Sequence, residues 1–234
     1  MNLKDAKYIF IVRKSHLDNP RWDLINILSR IAPDCHILST DKLTEGPACS
    51  VLLARDILDP NLPLLIANSD QYLEWNPNAF LYENRNTDGC ISTFYQPDPN
   101  DKKWSYVNLD ESGFVSEVKE KEPISSNAST GIYYWTKAGD FITYADRMIQ
   151  KNIRVNNEFY VAPVYNEAIV DGKKIKIHSC TKMWGLGVPE DLEVFCKEFL
   201  HLDDWLRHYL NITDWIFVKV KTGVGIGLDV FFDV

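Results

Sequence analysis

The sequence predicts an α/β fold with a parallel sheet, on three observations. Short apolar runs alternate with helix-period stretches, the pattern of repeated βαβ units. Pro63 to Ala67 (P-L-L-I-A) is apolar without alternation, which suits a central parallel strand covered on both faces. Of 234 residues, 45% are hydrophobic and 25% charged, so the chain can bury a sizeable core. That balance excludes a disordered, collagen-like or coiled-coil chain.

The elements follow in order. Tyr8 to Val12 (Y-I-F-I-V) reads as a buried strand. Trp22 to Ile31 reads as an amphipathic helix with Trp22, Ile25, Leu28 and Ile31 on one stripe. Cys35 to Leu38 is a second short strand. Gly46-Pro47 opens a helix through Leu58, since proline suits the first helical turn. Gly89 to Phe94, Trp104 to Leu109 and Phe114 to Val118 read as strands, with a hairpin turn at Asp110–Gly113. Thr130 to Trp135 is a strand, and Lys137 to Gln150 and Asn157 to Ile169 are helices. Lys174 to His178 is a strand. Pro189 to Leu200 is a closing helix with acidic residues in its first turn, where the helix dipole favours them.

Charge and composition restrict the function classes. The formal net charge is −8, which argues against sequence-independent binding to nucleic acid or to an anionic membrane. No segment reaches the roughly 20 apolar residues of a spanning helix, and Met1 to Lys14 carries charge where a signal peptide is apolar. The five cysteines are scattered and none stands at C-x-x-C spacing, so reduced thiols in a cytoplasmic protein are expected. The five histidines lack H-E-x-x-H spacing. Gly223-Val-Gly225-Ile-Gly227 is not a full dinucleotide fingerprint, because too few residues follow it to form the phosphate-binding helix.

Several segments combine residue types that can carry chemistry. The buried strand Leu64 to Ala67 runs into Asn68-Ser69-Asp70-Gln71. A carboxylate there can hold a hard cation against a phosphate, or it can cap the next helix. Lys42 to Ala48 ends at a helix N-terminus, where small residues admit a ligand; it also suits a plain strand-to-helix connection. Glu117 to Pro123 is a dense charge run, read either as a solvated edge or as a lysine set to bind phosphate. Asn156-Asn157-Glu158 reads locally as a capping segment, and Met183 to Asp191 as a turn or a close backbone approach to a ligand.

Taken together, these segments resemble the sugar-phosphate nucleotidylyltransferase family. The resemblance rests on T-E-G-P-A at 44–48, L-I-A-N-S-D-Q at 65–71, E-K-E-P at 120–123 and T-G-I-Y-Y at 130–134. N-N-E-F-Y at 156–160 and W-G-L-G-V-P-E-D at 184–191 complete it. It implies a Rossmann-like (GT-A-like) three-layer sandwich with a mixed, mostly parallel sheet over residues 1–199, followed by an unassigned extension at 200–234. It is closest to the bacterial branch that activates building blocks for capsule or lipopolysaccharide.

The resemblance also implies a role for each site residue. Asp70 would hold the Mg²⁺ that bridges the phosphates. Lys121 would contact the acceptor's phosphate. Thr44, Glu45 and Gly46 would border the base, and Glu120, Gly131, Asn157 and Glu158 would line the acceptor pocket. The partners implied are a nucleoside triphosphate and a small phosphorylated acceptor; the oligomeric state is not set.

Two departures stand out. Gly185 and Val188 stand where the family carries a second metal-binding aspartate and a threonine; Glu190 and Asp191 are the nearest acidic substitutes. The family's first strand, with its G-x-G-x-[ST]-R loop and a following P-K-P segment, has no counterpart here, so the chain starts at the family's second strand. That strand lies mid-sheet, and losing its buried side chains removes ~6–12 kcal/mol, comparable with a whole domain's stability. The expectation is an unstable chain, or a sheet with a gap or altered pairing. Three functions follow: nucleotidyl transfer to a sugar phosphate or related acceptor; acceptor binding without catalysis; and, third, glycosyl transfer from a finished nucleotide sugar, which Asn68-Ser-Asp70 half supports.

Overall fold

The structure, a computed structural model, describes residues 6–198 and the backbone of 229–233. The chain begins with strand β1 (Lys7–Arg13), helices α1 (Lys14–Leu17) and α2 (Leu24–Ile31), and strand β2 (His36–Thr40). Helix α3 (Pro47–Val51) tightens into a 3-10 turn, Leu52–Ala54, and β3 (Leu64–Ala67), β4 (Gln71–Glu74) and α4 (Pro77–Asn84) follow. Next come β5 (Gly89–Tyr95), β6 (Ser105–Leu109), β7 (Val115–Glu120), β8 (Asn127–Trp135), α5 (Ala138–Gln150) and α6 (Val164–Val170). The last are β9 (Ile175–Ser179), β10 (Lys182–Gly185), α7 (Pro189–Glu198) and β11 (Asp229–Asp233).

The main sheet runs β2-β1-β11-β3-β8-β5-β9, with β6 and β7 attached beside β8. β2, β1, β3, β5 and β9 point one way, and β8 and β11 oppose them. It is the mixed sheet of a three-layer sandwich. Side chains alternate between the two faces of the sheet, as the period of two requires, and feed three core clusters. Ile9, Ile11, Leu64, Ile66, Tyr133 and Trp135 join the larger core with α3, α5 and α6. Leu65, Ala67, Ile132 and Tyr134 face Phe80 of α4, while Phe10 and Val12 face Leu28 of α2. Leu64–Ala67 is buried along its whole length, as its unbroken apolar run requires. No helix among the described residues is long and apolar enough to cross a membrane.

The expected altered pairing is present, and its occupant comes from the tail. β11 lies between β1 and β3, antiparallel to both. The sequence reading left D-V-F-F-D within the unassigned extension at 200–234; backbone pairing gives it a central place. The division at 199–200 falls outside the described residues.

Three local expectations are corrected. The helix expected over Trp22 to Ile31 begins at Leu24, and its inward stripe is Leu24, Leu28 and Ala32; Ile25 and Ile31 are 52% and 64% exposed. Trp22 packs edge-on against His16, outside the helix, and Asp23 turns left-handed (φ 43°), which rotates the stripe. The helix expected over Asn157 to Ile169 begins only at Val164, because Asn156 and Asn157 are left-handed and Val155 and Glu158 bridge each other. The helix from Pro47 ends at Val51. Strands β4 and β10, unforeseen, form a two-stranded ribbon.

Candidate active site

The carboxyl ends of β1, β2 and β3 open on one side of the sheet, where ligands bind in α/β folds. The cleft there has two lobes. The larger, about 500 Å³, is lined by Arg13, Thr40, Lys42 to Thr44, Gly46, Pro47, Ser50, Asn68 to Asp70, Lys121, Glu158, Tyr160 and Gly187. The smaller, about 250 Å³, is lined by Gln71, Lys103, Trp104, Glu120, Gly131, Tyr133, Met183, Gly185, Asp191 and neighbours. Asn68, Asp70, Lys121, Tyr160, Pro47 and Gly187 belong to both lobes and form their junction.

Close backbone approaches build the cleft. Gly46 has φ +127°, and a Cβ there would lie 2.5 Å from the Phe159 nitrogen. Phe159 N–H donates to the Glu45 carbonyl at 2.8 Å, and Ala48 N–H donates to the Phe159 carbonyl at 2.9 Å. The 44–48 loop is thereby strapped to the 157–160 segment, which explains why that segment is not helical. Gly131, at φ +80°, leaves room for the Asn68 side chain, 2.6 Å from a Cβ at 131. Asn68 N–H donates to the Gly131 carbonyl at 2.9 Å.

Charged groups concentrate at the junction. The Asp70 carboxylate lies against Gly187, with Oδ2 2.9 Å from where a Cβ would stand. Leu186 N–H donates to the Asp70 carbonyl at 2.6 Å. Lys121, in a left-handed conformation (φ 58°), donates from Nζ to Tyr160 Oη at 2.6 Å. Tyr160 in turn donates to Glu158 Oε2 at 2.6 Å. Burial and the Glu158 carboxylate push the Tyr160 hydroxyl well above its usual range, so it stays a neutral donor. Glu120 is buried and accepts from Ser105 Oγ; burial raises its pKa, against the opposing pull of Ser105 and Lys121.

The residues singled out from sequence fall into three groups. Asp70 and Lys121 meet at the junction; Thr44, Gly46 and Glu158 line the large lobe, and Glu120 and Gly131 the small one. Glu45 and Asn157 line neither lobe: Glu45 pairs with Arg154, and the Asn157 carbonyl accepts from Arg154 at 3.0 Å. Arg154 thus fastens the loop from outside. Sequence reasoning missed Arg13, Tyr160, Trp104 and Lys103; it named Asn68 and Asp191 only as a half-motif and a possible acidic substitute. Tyr160 and Asn68 stood inside quoted strings, whereas Trp104 and Lys103 carried no local signal. The Asp191 carboxylate reaches back over Gly185, with Oδ2 2.9 Å from a Cβ position there, and pairs with Lys103.

Among the described residues, no group of three or more His, Cys, Asp or Glu could hold a metal by itself. Mg²⁺ is commonly bound by one or two carboxylates together with substrate phosphates. One carboxylate, Asp70, at the junction of the two lobes fits that donor set.

Residues 7–170 match the model of the nucleotidyl transferase family. Solved structures share the fold. A nucleoside-diphosphate-sugar pyrophosphorylase from Vibrio cholerae RC9 is 24% identical, with a TM-score of 0.63 over 81% of this chain and 80% of that one. The inositol-1-phosphate CTP transferase from T. maritima is 14% identical, with a TM-score of 0.57 over 92% of this chain and 77% of that one. HddC from Yersinia pseudotuberculosis is 14% identical, with a TM-score of 0.53 over 82% and 77%. No curated protein matches the sequence. At these identities the structural likeness speaks for the fold, and the family model, spanning most of the described residues, speaks for descent: the chain belongs to the nucleotidyl transferase family.

Proposed function

We propose that this protein transfers a nucleotidyl group from a nucleoside triphosphate to a sugar phosphate or a related small phosphorylated acceptor, releasing pyrophosphate. One observation carries the reading: two adjoining lobes share a wall that holds one carboxylate, Asp70, and one ammonium, Lys121. The large lobe takes the nucleotide, with Thr44 and Gly46 beside the base and Glu45 behind them. The small lobe takes the acceptor, with Glu120 and Gly131 along its wall; Glu158 approaches it from the large lobe, through Tyr160 at the junction, and Asn157 shapes the loop.

An oxygen of the acceptor's phosphate attacks the α-phosphorus in line. The new P–O bond forms as the α–β bridge breaks, and pyrophosphate leaves with the electron pair. No side-chain nucleophile is needed, so the protein's work is positioning and charge compensation. Lys121 offers a point charge to the acceptor phosphate, and Tyr160 fixes its direction. Asp70 would hold Mg²⁺, which supplies charge neutralisation between the phosphates. On resemblance to the bacterial branch, we place the protein in the cytoplasm, with its product among the activated precursors of capsule or lipopolysaccharide.

A second reading, acceptor binding without transfer, is favoured by Gly185 and by the engagement of Asp191 with Lys103, which leave one carboxylate at the junction. Pyrophosphate release from each of the four ribonucleoside triphosphates and dTTP, with Mg²⁺ and a panel of sugar phosphates, separates the two. Under the transfer reading one pair turns over, and Asp70→Ala lowers kcat by about 100–1,000-fold. Acceptor binding with no turnover in any pair overturns it in favour of the second.

A further inference from the structure

β11 decides whether the sheet is one body. It pairs with β1 from Lys7↔Asp233 to Ile11↔Asp229, and with β3 from Leu64↔Asp233 to Ala67↔Val230. β1 and β3 run in the same direction and, among the described strands, are joined in the sheet through it. Neighbouring strands lie ~4.8 Å apart, so one intervening strand holds its two neighbours about 9.6 Å apart. At their carboxyl ends, Arg13, the last residue of β1, on one side and Asn68 to Asp70, just after β3, on the other line the large lobe. The strand therefore sets the width of the cleft floor.

An empty slot has two outcomes. Ile9 to Val12 and Leu64 to Ala67 are all buried, so vacant edges would leave two rows of backbone donors and acceptors unpaired within the core. Alternatively, β1 and β3 pair directly in parallel, which narrows the floor by one strand spacing and brings Arg13 towards Asn68. The register suits the tail: Phe231 stands opposite Ile9 and Ile66, and Phe232 opposite Tyr8 and Leu65.

We propose that the slot between β1 and β3 is a strand-acceptor surface, that Asp229–Asp233 of the same chain is its occupant, and that a polyphosphate in the large lobe binds only the seated state. The affinity comes from main-chain hydrogen bonds along both edges, the mode of strand addition. The last clause rests on the nucleotide reading of that lobe. A ligand confined to one state stabilises that state by mass action, so tail seating and ligand binding are linked.

Amide hydrogen exchange on the full chain tests this. Without ligand, the amides of 230–233 exchange as slowly as those of β1 and β3. Phe231→Pro in the full chain removes one ladder donor, and protection falls in β1 and β3 together. Mg²⁺ with inorganic tripolyphosphate at about 100 times its Kd slows β11 exchange about 100-fold. Tail amides exchanging at free-peptide rates beside a protected β1 and β3, or a proline variant with unchanged protection, overturn the strand seat. Tripolyphosphate that binds by calorimetry yet leaves β11 exchange unchanged overturns the linkage alone. Tripolyphosphate that does not bind overturns the nucleotide reading of the lobe, and the linkage with it, while the first two readouts still decide the seat.

Discussion

Lys121, Tyr160 and Glu158 form a chain of donors and acceptors at the cleft junction, and each member constrains the next. A lysine side chain has wide rotamer freedom, so under the proposed role in phosphate contact the ammonium gains from a fixed partner. Tyr160→Phe keeps the ring and removes the hydroxyl. It is expected to raise the acceptor KM about 10-fold with a small change in kcat and in melting temperature, since a hydrogen bond to a charged group is worth ~1.5–3 kcal/mol. Steady-state kinetics beside a thermal melt checks the split; a merely structural tyrosine would move the melt first. Glu120 offers a pH test. Its pKa is raised by burial, so the folded state binds this proton more tightly than the unfolded state. Its contribution is present below the usual carboxylate value of 4.5 and is lost as pH rises through the folded pKa above it. Glu120→Gln, which stays neutral, should melt higher than the parent at pH 7, and the difference should shrink as pH falls to 4. A difference that grows on acidification would refute the assignment of burial as the dominant cause.

At the scale of elements, the cleft rests on loops whose backbones touch. Gly46 illustrates the dependence, because any side chain there meets the Phe159 backbone at an unfavourable φ. Gly46→Ala is expected to destabilise the fold by about 1–3 kcal/mol and to separate the 44–48 loop from the 157–160 segment. Thermal denaturation should show the loss, and nucleotide affinity should fall in the material that remains folded. The same strap explains why helix periodicity failed over Asn157 to Ile169. Asparagines at 156 and 157 tolerate left-handed turns, and two bonds to the 44–48 loop outweigh local helix propensity. The Leu64 to Ala67 strand was legible because burial on both faces leaves an unbroken apolar run. The β4–β10 ribbon was not, since Q-Y-L-E and K-M-W-G carry no alternation strong enough to mark a strand.

For the whole molecule, strand order matters more than any single contact. With β11 in place, β2 and β1 on one flank and β3, β8, β5 and β9 on the other form a single sheet. The full chain should therefore unfold in one cooperative transition, with far-ultraviolet circular dichroism and tryptophan fluorescence changing together. Two separated transitions would show that the flanks fold as independent bodies. The cleft has the same origin. Arg13, Asn68, Lys121 and Tyr160 lie far apart in sequence and meet because the strand ends converge on one edge of the sheet.

Read alone, the sequence determined the α/β class, most strand positions, the family resemblance, and Asp70 and Lys121 as the residues to watch. The class and the strands follow from local physics, apolar period and turn chemistry; Asp70 and Lys121 follow from the resemblance that the ordered strings carry. Tertiary structure decided the rest. It put Tyr160 on Lys121, Asp191 over Gly185 and Arg154 behind Glu45, because such pairings depend on distances that no local pattern encodes. It also gave the carboxyl-terminal D-V-F-F-D segment a central place in the sheet, because a strand's partner is chosen by the edges left open elsewhere in the fold.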